Sequence, residues 1–212
     1  MSAEPISTQP PVADRFRPAI VSVPVTPEGA MVPTAPPPEG WTVADVDALP
    51  EHDGMRYELV DGVPEVMTPP RIEHQHALLE LHLALRSTVP VDLHVVQGIG
   101  VVLAADQRPI PDLVVVRPSD RSLCNVPAEQ VVLAAEVVAP STRSNDRFRK
   151  PALYAAAGIP CYLRVELDPV HVMAYRLDAE GIYVEVGRAE PGEVLKLTEP
   201  FPITIDPAAL TR

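Results

Sequence analysis

The sequence predicts an α/β fold in which a central mixed β-sheet is flanked by helices. Two segments carry this prediction, residues 112–117 (DLVVVR) and 131–138 (VVLAAEVV), because their apolar residues run together instead of alternating with polar ones. Continuous apolar runs are typical of central strands that are covered on both faces. Coverage of both faces implies helices on either side of the sheet.

A single folded domain over residues 41–212 is predicted, preceded by a proline-rich arm. The chain has 212 residues, of which 46% are hydrophobic, and this is enough to build one core. Ten of the 27 prolines lie in residues 1–40, where no hydrophobic period is visible. Because proline removes a backbone donor and favours extended conformations, residues 1–40 are predicted to be a disordered arm.

The composition also indicates the cellular compartment of the protein. The arm does not resemble a signal peptide, because acidic residues occur early and its apolar run, residues 19–25, is short. No apolar run is long enough to cross a membrane. Cys124 and Cys161 lack the spacing of a metal or redox pair, which fits reduced thiols. We therefore predict a cytoplasmic protein that does not bind a membrane.

The folded part is predicted to begin with a short helix and a hairpin. Thr42 and Asp45 have the spacing of a capping box, so TVADVDAL should form a helix that ends near Pro50. The next segment, MRYELVDGVPEVMTPP, reads as two strands around the turn signal Asp61-Gly62.

An amphipathic helix is predicted over residues 71–89 (RIEHQHALLELHLALRSTV), and it stops before Pro90. Its apolar residues recur at helical spacing in two rows, which we expect to form its apolar face. One row consists of Ile72, Leu79 and Leu83, and the other of Leu78, Leu81 and Leu85.

Strands dominate the rest of the predicted fold. The segment LHVVQGIGVVL, starting at Leu93, precedes the two central runs. After APST, which ends at Thr142, the residues up to Ala157 have helical composition, with Pro151 expected in a first turn or at a kink and Gly158 and Pro160 as stop signals. Three short strands, CYLRVE, HVMAYRL and IYVEV, are then predicted.

Two acids interrupt the apolar runs and raise the question of function. Asp112 opens one predicted central strand, and Glu136 lies near the end of the other. If these strands are neighbours, the two side chains converge at one edge of the sheet. Burying an unpaired charge costs several kcal/mol, so each acid needs a cation, and a structural salt bridge is one explanation. Two carboxylates, a backbone carbonyl and waters would also suit Mg²⁺ and leave positions for phosphate oxygens.

The charge distribution is ambiguous about a nucleic-acid partner. The net charge is −12, which opposes binding to a polyanion, because nucleic-acid affinity depends largely on Lys and Arg. Residues 143–150 (RSNDRFRK) are nevertheless locally basic, with four bases and one acid. A solvated helix face is the alternative explanation for this run.

Several motifs occur in order along the chain: YELVDGVPEVMTPP, EHQ at Glu73 to Gln75, Pro111-Asp112, EVVAPST from Glu136, Asp146, Lys150 and LYAAAGIPCYLRVE to Glu166. Together they resemble the Uma-two family of putative restriction endonucleases, within the PD-(D/E)XK nuclease superfamily. The resemblance runs from about Trp41 to Pro169. It implies a restriction-endonuclease-like core, with a mixed four-stranded sheet flanked by helices and a magnesium-dependent phosphodiesterase site.

The resemblance implies roles for individual residues. Asp112 and Glu136 match the metal-binding acids, with the carbonyl of Val137 as a third ligand. Lys150 matches the lysine that holds the attacking water and stabilises charge on the phosphorane. The superfamily places this lysine two residues after the second acid, where this chain has Val138, but a lysine stem on the following helix is long enough to reach back.

Further residues are weaker candidates. Glu58 matches an acid that would hold a metal-bound water or a second ion, although a surface strand acid is the alternative. His74 belongs to the EHQ motif and is a candidate phosphate or water contact, but we expect it to be partly exposed. The family's usual serine after the two apolar residues is Ala139 here. The arginines of the basic run, Arg143, Arg147 and Arg149, are candidate DNA contacts.

Three hypotheses of function remain. The leading one is a DNA endonuclease that uses Mg²⁺, or Mn²⁺ in its place, and acts on duplex DNA as a homodimer with one site per strand. The second is a nuclease fold that has lost turnover and serves as an interaction module. The third is a structural domain in which Asp112, Glu136 and Lys150 form a buried ion triad.

Overall fold

A six-stranded mixed β-sheet forms the centre of the fold. The computed structural model describes residues 40–48, 56–67, 69–118, 120–139 and 145–212. The strands are β1 (Tyr57–Val60), β2 (Val63–Val66), β3 (His94–Gln97), β4 (Gly100–Val102), β5 (Leu113–Val116), β6 (Asn125–Pro127), β7 (Val131–Val138), β8 (Cys161–Leu167), β9 (Val170–Leu177), β10 (Tyr183–Ala189), β11 (Leu195–Leu197) and β12 (Ile203–Ile205). The α-helices are α1 (Val43–Asp47), α2 (Ile72–Arg86) and α3 (Lys150–Ala156).

The strand order in the central sheet is β10-β9-β8-β7-β5-β3. Strands β7 and β8 pair in parallel, and the other neighbours pair antiparallel, so the sheet is mixed as predicted. A parallel pair needs a crossover connection, and α3 lies in the segment that joins β7 to β8. The resemblance implied four strands, and the observed sheet extends this core to six.

Both faces of the sheet are covered, which confirms the interpretation of the continuous apolar runs. Successive strand residues point to opposite faces. In β5, Leu113 and Val115 pack in the cluster that contains residues of α2, whereas Val114 and Val116 pack in the cluster that contains Tyr154 of α3. Each residue of this short strand is therefore buried, and none is polar.

The predicted first helix and hairpin are both present. Thr42 and Asp45 form the capping box at the start of α1. Strands β1 and β2 pair antiparallel around Asp61-Gly62. Both turn residues have positive φ, 52° for Asp61 and 69° for Gly62. A tight hairpin turn of this kind requires that conformation, which is why the Asp-Gly pair predicts it.

One expectation about α2 is wrong. Ile72, Leu79 and Leu83 are exposed, with Ile72 at 87%. The buried residues of the helix are His74, Ala77, Leu81 and Leu85. Helical spacing identifies rows of residues but does not decide which row faces the sheet. The row that does face it begins with a histidine.

The remaining predicted helices and strands differ from the observed ones mainly at their boundaries. The segment from Leu93 divides into β3 and β4 at Gly98, whose φ is +58°. The helical segment before Ala157 is a π-helical stretch, Asn145–Arg149, followed by α3 with Pro151 in its first turn. The small β4–β6 and β11–β12 sheets and the 3₁₀ turns at Ala128–Gln130 and Pro207–Thr211 were not predicted.

The domain boundaries stay predictions. The disordered arm assigned to residues 1–40 lies outside the described residues, apart from Gly40. Within the described part of the chain, no helix is both long enough and apolar enough to span a membrane.

Candidate active site

The pairing of β5 with β7 brings the two acids together. Asp112 immediately precedes β5, and the antiparallel register places Leu113 opposite Ala135, next to Glu136. The Asp112 N–H lies 3.4 Å from Oε2 of Glu136, and Oδ2 of Asp112 accepts a hydrogen bond of 2.8 Å from the Val137 N–H. The sequence placed these residues on two strands, and the structure makes the strands neighbours.

Lys150 joins this pair from the start of α3. Its Nζ lies 3.2 Å from Oε1 of Glu136 and 3.0 Å from Oε1 of Glu58. It also donates to the carbonyl of Ile110 at 3.3 Å. The ion cluster therefore differs from the triad considered from sequence, because Glu58 takes the place of Asp112 as the second direct partner of the lysine.

Glu58 is a buried residue and not a surface strand acid. It lies in β1 of the hairpin, and its Oε1 accepts a hydrogen bond of 2.9 Å from the Ile110 N–H. Pro111 has no N–H and interrupts the backbone pairing before β5, so the polar backbone groups on either side of it need other partners. Glu58, Lys150 and Glu136 supply them.

His74 is buried, which corrects the expectation that it is partly exposed. It lies on the inner face of α2, and its Nε2 is 3.1 Å from Oδ2 of Asp112. A carboxylate only accepts hydrogen bonds, so Nε2 of His74 is the donor. The structure thus places His74 against a metal-binding candidate through a direct side-chain contact.

Two residues near the cluster were quoted in the motifs without an assigned role. Tyr154 is fully buried, and its hydroxyl donates to Oε1 of Glu136 at 2.6 Å. It follows Lys150 by four residues, which is the spacing that puts two helical residues on one face. Asp146 is also buried and lines the same cavity. Asp146 is the single acid in the basic run, and an acid alone among bases was the one feature of the sequence that could have marked it as a candidate site residue.

The two arginines of the basic run that the structure describes, Arg147 and Arg149, are engaged in ion pairs. Arg147 makes two hydrogen bonds of 2.8 Å to the carboxylate of Glu166. Arg149 bonds Glu65 at 3.0 Å and Asp61 at 3.1 Å, both on the hairpin. Arg143 lies outside the described residues.

The acids of the candidate site, together with His74 and Lys150, line a cavity of about 370 Å³. Among the described residues that line it, carboxylates outnumber basic side chains, so the cavity carries a negative excess. The acids are Glu58, Glu65, Asp112, Glu136 and Asp146, and the bases are Arg71, His74 and Lys150.

Burial and mutual charge shift the pKa values in this cluster. Burial opposes the charge of Lys150, but the surrounding carboxylates, Glu136 first, outweigh it and raise the lysine pKa, so Lys150 stays protonated. Burial raises the pKa of Glu136 well above its usual value, and Lys150 opposes this shift.

The Asp112–His74 pair shows the opposite balance. Burial would raise the pKa of Asp112, but the hydrogen bond and charge of His74, together with Lys150, lower it. Burial would lower the pKa of His74, but Asp112 raises it. Each partner therefore stabilises the charged form of the other.

The donors at this edge of the sheet fit a hard divalent cation. Among the described residues, no group of three His, Cys, Asp or Glu side chains forms a complete metal-binding set. Mg²⁺ does not require one, because it is bound through one or two carboxylates while it keeps several waters. Asp112, Glu136 and the negative excess of the cavity meet that requirement.

Comparisons with known proteins agree with this architecture. The model of the Uma2 (Uma-two) family, described as putative restriction endonuclease, matches residues 43–210. The fold is similar to the crystal structure of a putative nuclease belonging to DUF820 from Anabaena variabilis, with a TM-score of 0.62 and 15% sequence identity. The similarity covers 80% of this chain and 97% of that one. No curated protein has significant sequence similarity to the chain.

Proposed function

The chain belongs to the Uma2 family of putative restriction endonucleases, and we propose that it is a metal-dependent endonuclease that hydrolyses phosphodiester bonds in DNA. One observation carries the proposal. Asp112 and Glu136 meet at the edge of the sheet, with the protonated Lys150 3.2 Å from Glu136, in a cavity open to a ligand.

In this proposal Asp112, Glu136 and the carbonyl of Val137 hold Mg²⁺, or Mn²⁺ in its place. When bound, the ion would polarise the phosphate and make water more acidic. Hydrolysis exchanges the P–O bond to one sugar oxygen for a P–O bond to the water oxygen, and the sugar leaves as an alcohol. Lys150 holds the attacking water and neutralises charge on the phosphate. Glu58 keeps the lysine in place through the 3.0 Å contact with its Nζ.

The partner is proposed to be duplex DNA, cut by a homodimer with one site for each strand. The basic run carries this part of the proposal, with Arg143, Arg147 and Arg149 as candidate phosphate contacts. Because Arg147 and Arg149 are paired with acids, a phosphate would have to compete with Glu166, Glu65 and Asp61 for them. Because contacts between arginine and phosphate release counterions from DNA, binding should weaken as salt is added.

A cytoplasmic location remains part of the proposal.

A second candidate, a nuclease fold without turnover that serves as an interaction module, is favoured by one contact pattern. A lysine ammonium has three N–H donors. Lys150 has three acceptors within 3.3 Å, which are Glu58, Glu136 and the Ile110 carbonyl. An active enzyme would have to release one of them to hold a water or phosphate.

Cleavage of supercoiled plasmid at low salt tests the proposal. The wild type and Asp112→Asn are compared with and without Mg²⁺ or Mn²⁺. We expect metal-dependent nicking that Asp112→Asn abolishes, because the substitution removes a ligand charge while keeping the side chain's shape.

Asp92→Asn is the matched control. Asp92 is an exposed acid paired with Arg117 at 3.1 Å, and it does not line the cavity. This variant should cut as the wild type does. Equal cutting by all three proteins would indicate contamination. No cutting by any of them, together with a metal-induced rise in melting temperature that Asp112→Asn removes, would favour the interaction module.

A further inference from the structure

The two acids of the candidate site share a pattern of hydrogen bonding. Each uses one carboxylate oxygen for two donors of the protein. In Asp112 this oxygen is Oδ2, which accepts from the Val137 N–H at 2.8 Å and from Nε2 of His74 at 3.1 Å. In Glu136 it is Oε1, which accepts from the Tyr154 hydroxyl at 2.6 Å and lies 3.2 Å from Nζ of Lys150.

The other oxygen of each acid is almost without protein partners. Among the described residues, Oδ1 of Asp112 has no hydrogen-bond partner. Oε2 of Glu136 has a single long contact, 3.4 Å from the Asp112 N–H. The structure therefore divides both carboxylates into one oxygen held by the protein and one that is left for a ligand.

The side chains that hold these oxygens come from opposite faces of the sheet. His74 lies on the buried face of α2, whereas Tyr154 lies on α3, against the other face. Both are buried, so neighbouring side chains restrict their rotamers. Neither residue belongs to β5 or β7, so hydrogen bonds from both sides of the sheet hold the two carboxylates.

We propose that His74 and Tyr154 are positioning residues that hold Asp112 and Glu136 so that Oδ1 and Oε2 remain available to a divalent cation. The inference rests on the proposed function, because it assumes that the two acids bind an ion. It assigns neither residue a contact with the ion or with DNA. It also gives His74 a role different from the phosphate contact considered from sequence.

A purely structural role for these residues predicts a different result. A structural hydrogen bond lowers the melting temperature when it is removed but leaves the affinity for the ion unchanged. A positioning bond changes the affinity itself, because the freed carboxylate must be ordered again at each binding event. Removing a partner that orients a metal ligand typically weakens affinity by about 10–100-fold.

The first test is Tyr154→Phe, which removes one hydroxyl and keeps the buried ring. The dissociation constant for Mn²⁺ alone is measured by calorimetry, and the melting temperature is measured without metal. We expect the Kd to rise about 10–100-fold. Tyr183→Phe is the control, because it removes a hydroxyl that donates to the Ile159 carbonyl at 2.8 Å outside the cavity. Its Kd should equal that of the wild type.

The second test uses two variants of His74. In His74→Gln the side-chain amide can place an N–H near the position of Nε2, so the Kd should stay close to the wild-type value. In His74→Leu no donor remains, and the Kd should rise as it does for Tyr154→Phe. His82→Leu, a half-buried histidine of the same helix that does not line the cavity, is the control.

The outcomes separate this inference from the proposed function. If the wild type does not bind Mn²⁺, or if Asp112→Asn binds it equally well, the proposed metal site is wrong. If the wild type binds the ion and Tyr154→Phe and His74→Leu bind it with unchanged Kd, the site stands and the positioning roles are wrong. If Tyr154→Phe does not fold, the comparison of His74→Gln with His74→Leu decides the proposal.

Discussion

Arg149 and Lys150 are adjacent in the chain, and both pair with acids of the β1–β2 hairpin, but their surroundings differ. The Lys150 side chain is 9% exposed, and its partners Glu58 and Glu136 are 10% and 1% exposed. The Arg149 side chain is 36% exposed, and its partners Glu65 and Asp61 are more exposed still. One ion cluster is therefore inside the protein, and the other is at its surface.

The difference in exposure indicates that the two ion clusters contribute differently to stability and to the proposed function. Exposed ion pairs contribute about 0–1 kcal/mol, so the Arg149 pairs do little more than tie the hairpin to the helix. A buried cluster loses hydration and is weak evidence for stability, although breaking it is costly. An apolar core would serve the fold at least as well at this position. The buried charges are therefore better explained by the chemistry of the proposed site.

The largest effect is expected for Lys150→Met, which removes the cation at the centre of the buried cluster. Glu58 and Glu136 would be left close together without it, so the free energy of unfolding should fall by about 3–5 kcal/mol. Denaturant unfolding measures this change, and plasmid nicking should be lost as well. Lys196→Met, at an exposed lysine of β11, is the control and should change neither quantity. A Lys150→Met variant as stable as the wild type would contradict the burial argument.

Glu136→Gln should lower stability less but remove the response to metal. Lys150 keeps Glu58 as a partner, and the amide can still accept from the Tyr154 hydroxyl. A ligand at 100 times its Kd stabilises the folded state by about 2.7 kcal/mol. The wild type should show such a rise with saturating Mn²⁺ in denaturant unfolding, and Glu136→Gln should show none. Glu65→Gln, an acid of the surface cluster, should respond as the wild type does.

The sequence predicted those parts of the fold that rest on local signals. The Asp61-Gly62 turn, the capping box of α1 and the apolar runs of β5 and β7 each depend on a few consecutive residues. The apolar face of α2 was different, because the row from Ile72 and the row that contains Leu81 both have helical spacing. Only contact with the sheet distinguishes them, and that contact is a tertiary property.

The candidate site was predictable to a similar extent. Asp112 and Glu136 stood out because acids are conspicuous in apolar strands. The contacts of His74 and Arg149 were not predictable, because His74 meets Asp112 38 residues later and Arg149 meets Glu65 84 residues earlier. Composition does not specify such pairings. The resemblance supplied Lys150, which lies too far from Glu136 in sequence for spacing alone to associate them.

Arg147→Gln should have an intermediate effect on the free energy of unfolding, because one member of its ion pair is buried and the other is partly exposed. Arg147 is partly exposed, but Glu166 is buried and receives two hydrogen bonds from it. Hydrogen bonds to charged groups contribute about 1.5–3 kcal/mol. Arg164, 3.4 Å from Glu166, compensates part of the loss, so we expect the lower end of this range in denaturant unfolding. A loss at the upper end of the range, about 3 kcal/mol, would show that Arg164 does not compensate.

Arg149→Gln should have the smallest effect and decides whether the comparison holds. It breaks the pairs with Glu65 and Asp61, whose charges remain in contact with water, so the free energy of unfolding should fall by about 0–1 kcal/mol. Exposed pairs are screened by salt, so the difference between variant and wild type should shrink as NaCl is raised. Unfolding of both proteins at low and high salt measures this. A loss as large as that of Lys150→Met, insensitive to salt, would mean that the surface cluster holds the hairpin over the site, and the division between the two clusters would then be wrong.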